Sequence, residues 1–169
     1  MGRNIVGTSN VLEAARRAGV LRIAFASTNH VVGNYDRDRA WPIHPDQPIR
    51  TDGYYGVSKA IGEALARYFS DEFDMSMICL RIGWFLERPF NETSMRMWLS
   101  PRDMGQLIRR CPGAEVRFGL YYDVSDNTRS QWDLENARRE PGYEPQNGSE
   151  VFAADIFPET TGASGGTIE

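Results

Sequence analysis

The residues with the clearest capacity for chemistry are a tyrosine and a lysine four positions apart, Tyr55 and Lys59. They open a stretch with helical periodicity, and this spacing places both side chains on one face of a helix. A phenol beside an ammonium group ionises more readily than a phenol in water, because the cation favours the phenolate. Such a pair can move a proton to or from an alcohol.

The composition of the chain supports a chemical role for Lys59. The sequence contains 19 lysine and arginine residues, and Lys59 is the only lysine among them. An ordinary exposed position in this chain is filled by arginine, so a surface role alone would not require lysine. A compact ammonium can contact a hydroxyl and a phenol together, which a planar guanidinium does not do. We interpret the pair as catalytic, and an exposed surface pair is the alternative.

The overall composition excludes several classes of protein. The chain has 169 residues, which is the length of one ordinary domain, and its net charge of −4 gives no indication of nucleic-acid binding. We find no apolar run long enough to cross a membrane and no signal segment, so we predict a cytoplasmic protein. Two cysteines, Cys79 and Cys111, are predicted to be reduced, and His30 and His44 lack the spacing of metal ligands.

The hydrophobic pattern predicts an α/β fold with a parallel sheet, because helical and strand-like segments alternate. The predicted helices span residues 4–18, 53–70, 101–110 and 133–139, and the predicted strands span 21–26, 75–81 and 114–121. Residues 34–53 and 88–97 are predicted to be loops. The buried stripe of the helix that carries Tyr55 is predicted to be Val57, Ile61, Leu65 and Phe69.

A polar cluster, Ser27 to His30, directly follows the first predicted strand. In open α/β sheets, ligands bind beyond the carboxyl ends of the strands. The cluster is therefore a candidate binding site, although Thr28 can also be a capping hydroxyl and His30 a turn residue.

Four motifs in this order resemble the extended short-chain dehydrogenase/reductases, the NAD-dependent epimerase/dehydratase group. They are Asn4-Ile5-Val6-Gly7-Thr8, Phe25-Ala26-Ser27-Thr28, Tyr55-x-x-x-Lys59 and Leu80-Arg81-Ile82-Gly83. Within that group, three segments are most similar to uronate dehydrogenases, namely residues 27–33, 52–56 and 95–97.

The resemblance implies oxidation of the anomeric carbon of a uronate by NAD, giving an aldarolactone. It implies that Tyr55 is the base and that Lys59 is its electrostatic partner and a ribose contact. The resemblance implies that the catalytic residues are Tyr55, Lys59 and Thr28. It implies that the cofactor is bound by Tyr55, Lys59 and Ile82. The substrate is implied to be bound by Thr28, Asn29, His30 and Arg96. Family members often dimerise through the helix that carries the tyrosine, so a homodimer is also expected.

One expected feature of a dinucleotide-binding fold is absent from the sequence. No Gly-x-x-Gly-x-x-Gly turn follows a predicted strand, although such a turn holds the pyrophosphate. We therefore expect the carboxyl-terminal part of a Rossmann-like fold at 1–85, a small substrate cap with closing elements at 86–158 and a disordered tail at 159–169. The alternatives to a truncated sugar dehydrogenase are a nucleotide-sugar epimerase or dehydratase and a non-catalytic remnant.

Overall fold

The computed structural model describes residues 2–158, and the predicted tail at 159–169 lies outside these residues. The described chain contains seven α-helices and five strands. In order they are α1 (Gly2–Arg17), β1 (Arg22–Thr28), α2 (Gly33–Arg37), α3 (Tyr54–Phe73), β2 (Ser76–Ile82), β3 (Trp84–Phe85), α4 (Glu92–Met97), β4 (Trp98–Leu99), α5 (Pro101–Arg110), β5 (Phe118–Asp123), α6 (Glu135–Arg139) and α7 (Ala153–Ile156).

The main sheet has three parallel strands in the order β1-β2-β5. This arrangement confirms the predicted α/β fold with a parallel sheet. The register pairs Thr28 with Ile82 and Ile82 with Asp123, so the three strands end at the same edge. Two helices, α1 and α3, pack against each other, and α3 also packs against β1 and β2.

The helix α3 lies close to the sheet because its buried face consists mostly of small residues. The predicted stripe is wrong in part, since Phe69 is buried but Val57, Ile61 and Leu65 are only partly buried. The buried positions are Gly56, Ser58, Ala60, Gly62, Glu63, Ala66, Phe69 and Ser70. A Cβ atom at Gly62 would lie 2.4 Å from the ring of Phe25 on β1, so the glycine permits this approach.

Several predicted boundaries differ from those of the structure. The strand predicted at 21–26 extends to Thr28, because its last residues pair with β2 and are buried. The strand predicted at 114–121 corresponds to β5, which begins later, at Phe118. The segment 34–53, predicted to be a loop, begins with the last four residues of the short helix α2.

The loop predicted at 88–97 contains the helix α4, so that prediction is wrong. The side chain of Asn91 accepts a hydrogen bond from the backbone of Ser94, and the Ser94 side chain accepts one from the backbone of Asn91. This reciprocal cap stabilises a helix start that hydrophobic periodicity alone does not indicate. By contrast, Ser100 and Pro101 begin α5 as predicted.

Two apolar clusters form the core on opposite faces of the sheet. Leu12, Ala66 and Phe69 lie in the cluster beneath α1 and α3, whereas Leu107 and Tyr122 lie in the cluster on the other face.

Both cysteines are buried and free. None of the described helices is long and apolar enough to span a membrane. The predicted boundary between the Rossmann-like part, residues 1–85, and the substrate cap, residues 86–158, stays a prediction.

Candidate active site

The predicted catalytic pair lies where α3 begins, beside the carboxyl end of β1. The Lys59 ammonium donates a hydrogen bond of 2.7 Å to the carbonyl oxygen of Ala26 and lies 5.9 Å from the centre of the Tyr55 ring. Partial burial lowers the pKa of Lys59. Tyr55 is 52% exposed, so its phenol is accessible to a ligand. The ammonium is therefore held on the strand end and close to an accessible phenol.

The polar cluster after β1 forms one capped turn, Asn29–Val32. Thr28 is buried, and its hydroxyl oxygen accepts a hydrogen bond of 3.3 Å from the backbone N–H of His30. The same hydroxyl donates to the side-chain oxygen of Asn29, also at 3.3 Å. The capping role of this hydroxyl is thus present in the structure, and it places Thr28 and Asn29 at the strand end.

His30 contacts both the helix α3 and an aspartate that sequence reasoning did not identify. Its Nδ1 lies 2.7 Å from a carboxylate oxygen of Asp52, and its ring packs edge-on to Tyr55 with 6.0 Å between centres. A Cβ atom at Gly56 would lie 2.3 Å from the carbonyl oxygen of His30, so only glycine lets the turn approach α3 this closely. With Nδ1 directed to Asp52, the other ring nitrogen of His30 is left for a ligand.

A buried ion pair connects α3 to β2 next to the strand ends. Arg81 on β2 donates two hydrogen bonds to the carboxylate of Glu63 on α3, at 2.9 and 2.8 Å. Ser27 donates a third hydrogen bond to Glu63, at 2.6 Å. Although burial disfavours the charged guanidinium, its hydrogen bonds to Glu63 hold the pKa of Arg81 above its ordinary value. These contacts connect α3, β1 and β2 directly beneath the candidate site.

The end of β5 carries a buried carboxyl group. Both side-chain oxygens of Asp123 are buried, and neither has a hydrogen-bond partner among the described residues. Burial raises the pKa of Asp123 to about 8; the nearby Tyr143 hydroxyl opposes the rise, and the Asp103 carboxyl adds to it. We therefore expect a protonated, uncharged carboxyl group at this strand end near neutral pH.

Arg96 does not join this group of side chains. Its guanidinium lies 3.5 Å from Asp36 and 5.1 Å from the centre of the Trp41 ring. It lines a cavity of about 610 Å³ whose lining includes neither Tyr55 nor residues 28–30. The next residue, Met97, accepts a hydrogen bond of 2.9 Å from the Asn29 amide, so α4 contacts the strand end through the methionine.

The part of a cofactor that these residues fit is the nicotinamide riboside. An ammonium and a phenol at the carboxyl edge of a parallel sheet suit a ribose and a reacting alcohol. Ile82 ends β2 beside Thr28 and is only partly buried. No glycine-rich turn for a pyrophosphate is present in the sequence. These residues could therefore hold the nicotinamide end of a dinucleotide.

A parallel α/β sheet with a Tyr-x-x-x-Lys helix at its carboxyl edge is the architecture of the short-chain dehydrogenase/reductases that the sequence resembles. The sequence profile of the NAD dependent epimerase/dehydratase family matches residues 1–98. The chain belongs to this family.

Several relatives that match most of the chain are named as sugar dehydrogenases. A uronate dehydrogenase from Pseudomonas syringae is 39% identical over 92% of this chain and 56% of its own length. An NAD-dependent glucose-6-phosphate dehydrogenase from Haloferax volcanii is 39% identical over 92% of this chain and 64% of its own length. The crystal structure of a glucuronic acid dehydrogenase from Chromohalobacter salexigens superposes with a TM-score of 0.86 at 36% identity, over 98% of this chain and 60% of that one. The chain thus spans less than two thirds of each of these relatives.

Proposed function

We propose that the chain carries the catalytic part of an NAD-dependent dehydrogenase that oxidises the anomeric carbon of a uronate. The observation that carries this proposal is the proximity of Lys59, Tyr55 and His30 at the carboxyl end of β1. The 39% identity to a uronate dehydrogenase supports the choice of substrate. An epimerase or dehydratase would use the same tyrosine, but the five relatives that are at least 38% identical are all named as dehydrogenases, which favours oxidation.

In this proposal Tyr55 is the base and accepts the proton of the anomeric hydroxyl. Lys59 is proposed as its electrostatic partner, because the ammonium lies 5.9 Å from the centre of the Tyr55 ring. Bound NAD would supply the acceptor for the hydride that leaves the anomeric carbon. The substrate thus loses one hydride and one proton, and the ring carbon becomes the carbonyl carbon of an aldarolactone. Lys59 would also contact the ribose, and Ile82 would flank the nicotinamide.

The turn after β1 would orient the sugar. Thr28 would exchange its 3.3 Å contact with Asn29 for the substrate oxygen, and Asn29 and His30 would then bind ring hydroxyls. Asp52 holds one nitrogen of His30, which fixes the ring orientation. Hydrogen bonds of this kind discriminate well between sugars, because a missing hydroxyl leaves a buried polar group unpaired.

Arg96 is proposed to bind the uronate carboxylate, which requires the sugar to extend toward the cavity beside Trp41. The Nε atom of Arg96 is buried and has no hydrogen-bond partner among residues 2–158. A carboxylate oxygen would satisfy this donor and would compete with Asp36 for the guanidinium.

Two further features remain part of the proposal. A homodimer through the helix that carries Tyr55 is expected from the resemblance alone. A cytoplasmic location is consistent with two free, buried cysteines, because disulfides are uncommon in that compartment.

The experiment that tests the function is a calorimetric titration of the folded chain with NAD, followed by an assay of NADH formation with galacturonate and glucuronate. We expect NAD to bind in the micromolar to millimolar range, about −8 to −4 kcal/mol, and NADH to form with uronates. NADH formation only with neutral aldoses would overturn the choice of substrate. A chain that unfolds cooperatively but neither binds nor reduces NAD would refute the proposed activity.

A further inference from the structure

The cavity that Arg96 lines is larger and more positively charged than a single carboxylate requires. Its volume is about 610 Å³, which lies within the range of cavities that enclose a whole organic ligand. Arginines outnumber carboxylates in its lining, which consists of Asp36, Arg37, Arg39, Trp41, Glu92, Thr93, Arg96, Arg129 and Gln131. The lining therefore combines an excess of cations with neutral groups that can form hydrogen bonds.

Two of these arginines are paired with carboxylates that do not belong to the lining. Arg37 donates a hydrogen bond of 2.8 Å to Asp38, and Arg129 donates two hydrogen bonds to Glu150, at 2.9 and 2.8 Å. The four side chains of these pairs are all more than a third exposed, and exposed ion pairs are weak. A carboxylate of a bound ligand can therefore compete for either arginine.

Arg39 is the arginine of this lining that forms no ion pair with any residue of the described chain. It directly follows Asp38, which ends α2, and its φ angle is +54°. A residue with this left-handed conformation after a helix is usually glycine, because a side chain makes the conformation strained. Strained positions of this kind occur often at ligand sites. Arg39 thus supplies a cation that the described residues leave without a partner.

We propose that this cavity binds the second residue of a di-uronate, whose first residue is oxidised at the candidate active site. The position of the first residue rests on the proposed function. In a uronate ring, the carbon that bears the carboxylate is adjacent to the carbon that bears O4, and the latter lies across the ring from the anomeric carbon. With the anomeric carbon at Tyr55 and the carboxylate at Arg96, a substituent on O4 points away from Tyr55 and toward the cavity.

The polar groups of the lining fit a second uronate better than a neutral sugar or a phosphate. The second carboxylate would bind Arg39, because a guanidinium matches a planar carboxylate with two parallel hydrogen bonds. The hydroxyl groups would bind Thr93 and Gln131, which also line the cavity. A neutral sugar would leave Arg39 unpaired, and the carboxylates of Asp36 and Glu92 would repel a phosphate dianion more strongly than a single carboxylate.

Calorimetric titration without NAD tests this second subsite independently of turnover. The ligands are galacturonate, 4-O-linked digalacturonate, and the same disaccharide with a neutral second residue. We expect digalacturonate to bind about tenfold more tightly than either of the others, because only its second residue forms a charge-assisted pair. Equal affinity for galacturonate and digalacturonate would overturn the proposal. Equal affinity for the two disaccharides, or no binding of digalacturonate, would also overturn it.

Arg39→Gly tests the assigned cation in a chain that keeps its fold. Glycine adopts positive φ angles without strain, so the thermal midpoint should stay close to that of the parent chain. The preference for digalacturonate over galacturonate should disappear. Asp74→Gly is the matched control, because Asp74 also has a φ angle of +54°, directly follows α3 and lies outside the cavity lining. Asp74→Gly should keep the preference, and an unchanged preference in Arg39→Gly would contradict the proposal.

An NADH assay with both uronates separates this inference from the proposed function. If digalacturonate binds with the expected preference but neither uronate yields NADH, the second subsite is supported and only the proposed activity fails. If galacturonate is oxidised but digalacturonate shows no preference in binding, the proposed activity is supported and only the second subsite fails.

Discussion

The two sides of the central strand β2 differ sharply in how well they are covered. On the covered side, β2 pairs with β5, and the five inner residues of β2 are all buried. On the open side, β1 exposes Ala24 and Ala26 and has no second strand partner among the described residues. Both sides meet at the carboxyl edge, where Thr28 and Ile82 end their strands in register.

We infer from this difference that the covered side mainly stabilises the chain and that the open side is free to bind a ligand. On the covered side, Tyr121 and Tyr122 of β5 are buried in the larger apolar cluster. The candidate catalytic residues lie where the two sides meet. Tyr55 is accessible there, and Lys59 lines a groove between α1 and β1. Residues of the covered side should therefore change stability when substituted, and residues of the open side should change binding or activity. The following predictions test that division, beginning with the largest expected effect.

Glu63→Ala removes one member of the buried ion pair and leaves Arg81 charged and unpaired. We expect the free energy of unfolding to fall by about 3–5 kcal/mol, because an isolated buried charge is not compensated. Denaturant titration measures this loss. Glu72→Ala is the control, since Glu72 is exposed on the same helix. A loss of less than about 1 kcal/mol would show that the pair does not stabilise the covered side.

Tyr55→Phe removes the proposed base while keeping the ring against His30. We expect turnover with uronate to fall by about 10²- to 10⁴-fold, because proton transfer by a positioned group contributes that much. The thermal midpoint should stay within the error of the measurement, since Tyr55 is 52% exposed. Tyr54→Phe is the matched control at the neighbouring exposed position. Retention of activity in Tyr55→Phe would exclude the phenol as the base.

Asp123→Asn tests the buried carboxyl group at the end of β5. The pKa of Asp123 is raised to about 8 in the folded chain, above its ordinary value of 3.8, so the folded state holds a proton that the unfolded state releases. Stability of the parent chain should therefore fall as the pH rises from about 4 to about 8, by at most a few kcal/mol. The variant should lose this dependence.

Denaturant titrations at several pH values measure the effect at Asp123. The control is Asp46→Asn, at an exposed position, which should leave the pH dependence of the parent chain intact. Parallel pH profiles for the parent chain and Asp123→Asn would contradict a protonated carboxyl group at this strand end.

Val11→Ser changes the α1 wall of the groove between α1 and β1. It should have the smallest effect on the stability of the isolated chain. We expect a change within about 0.5 kcal/mol in the free energy of unfolding, because the side chain is mostly exposed. Leu107→Ala, on the covered side, should cost about 2–5 kcal/mol in the same titration. A comparable loss at both positions would show that the groove is already covered in the isolated chain.

Sequence reasoning succeeded where the signal is local. The four-residue spacing of Tyr55 and Lys59 and the alternation of helices and strands needed only neighbouring residues. The start of α5 was equally local, since Ser100 and Pro101 are a recognisable cap. The start of α4 had a signal of the same kind, because Asn91 and Ser94 form a reciprocal cap, but the low hydrophobic periodicity concealed it.

The contacts that sequence reasoning missed join distant parts of the chain. Glu63 and Arg81 are 18 residues apart, and His30 and Asp52 are 22 apart. No spacing rule applies to such pairs, because the connecting chain can take many paths. The expected function of Arg96 met the same difficulty, since its contacts with Asp36 and Trp41 depend on how a loop folds back.

The sequence alone therefore determined the alternating α/β pattern, the helical Tyr-x-x-x-Lys pair and the absence of a glycine-rich turn, because each depends on residues that are adjacent or one helical turn apart. Only the tertiary structure decided that Lys59 is held by Ala26, that Arg96 lies in a separate cavity and that β1 has an open edge. These features depend on which segments pack together, and packing is set by the burial and close approach of residues far apart in the chain.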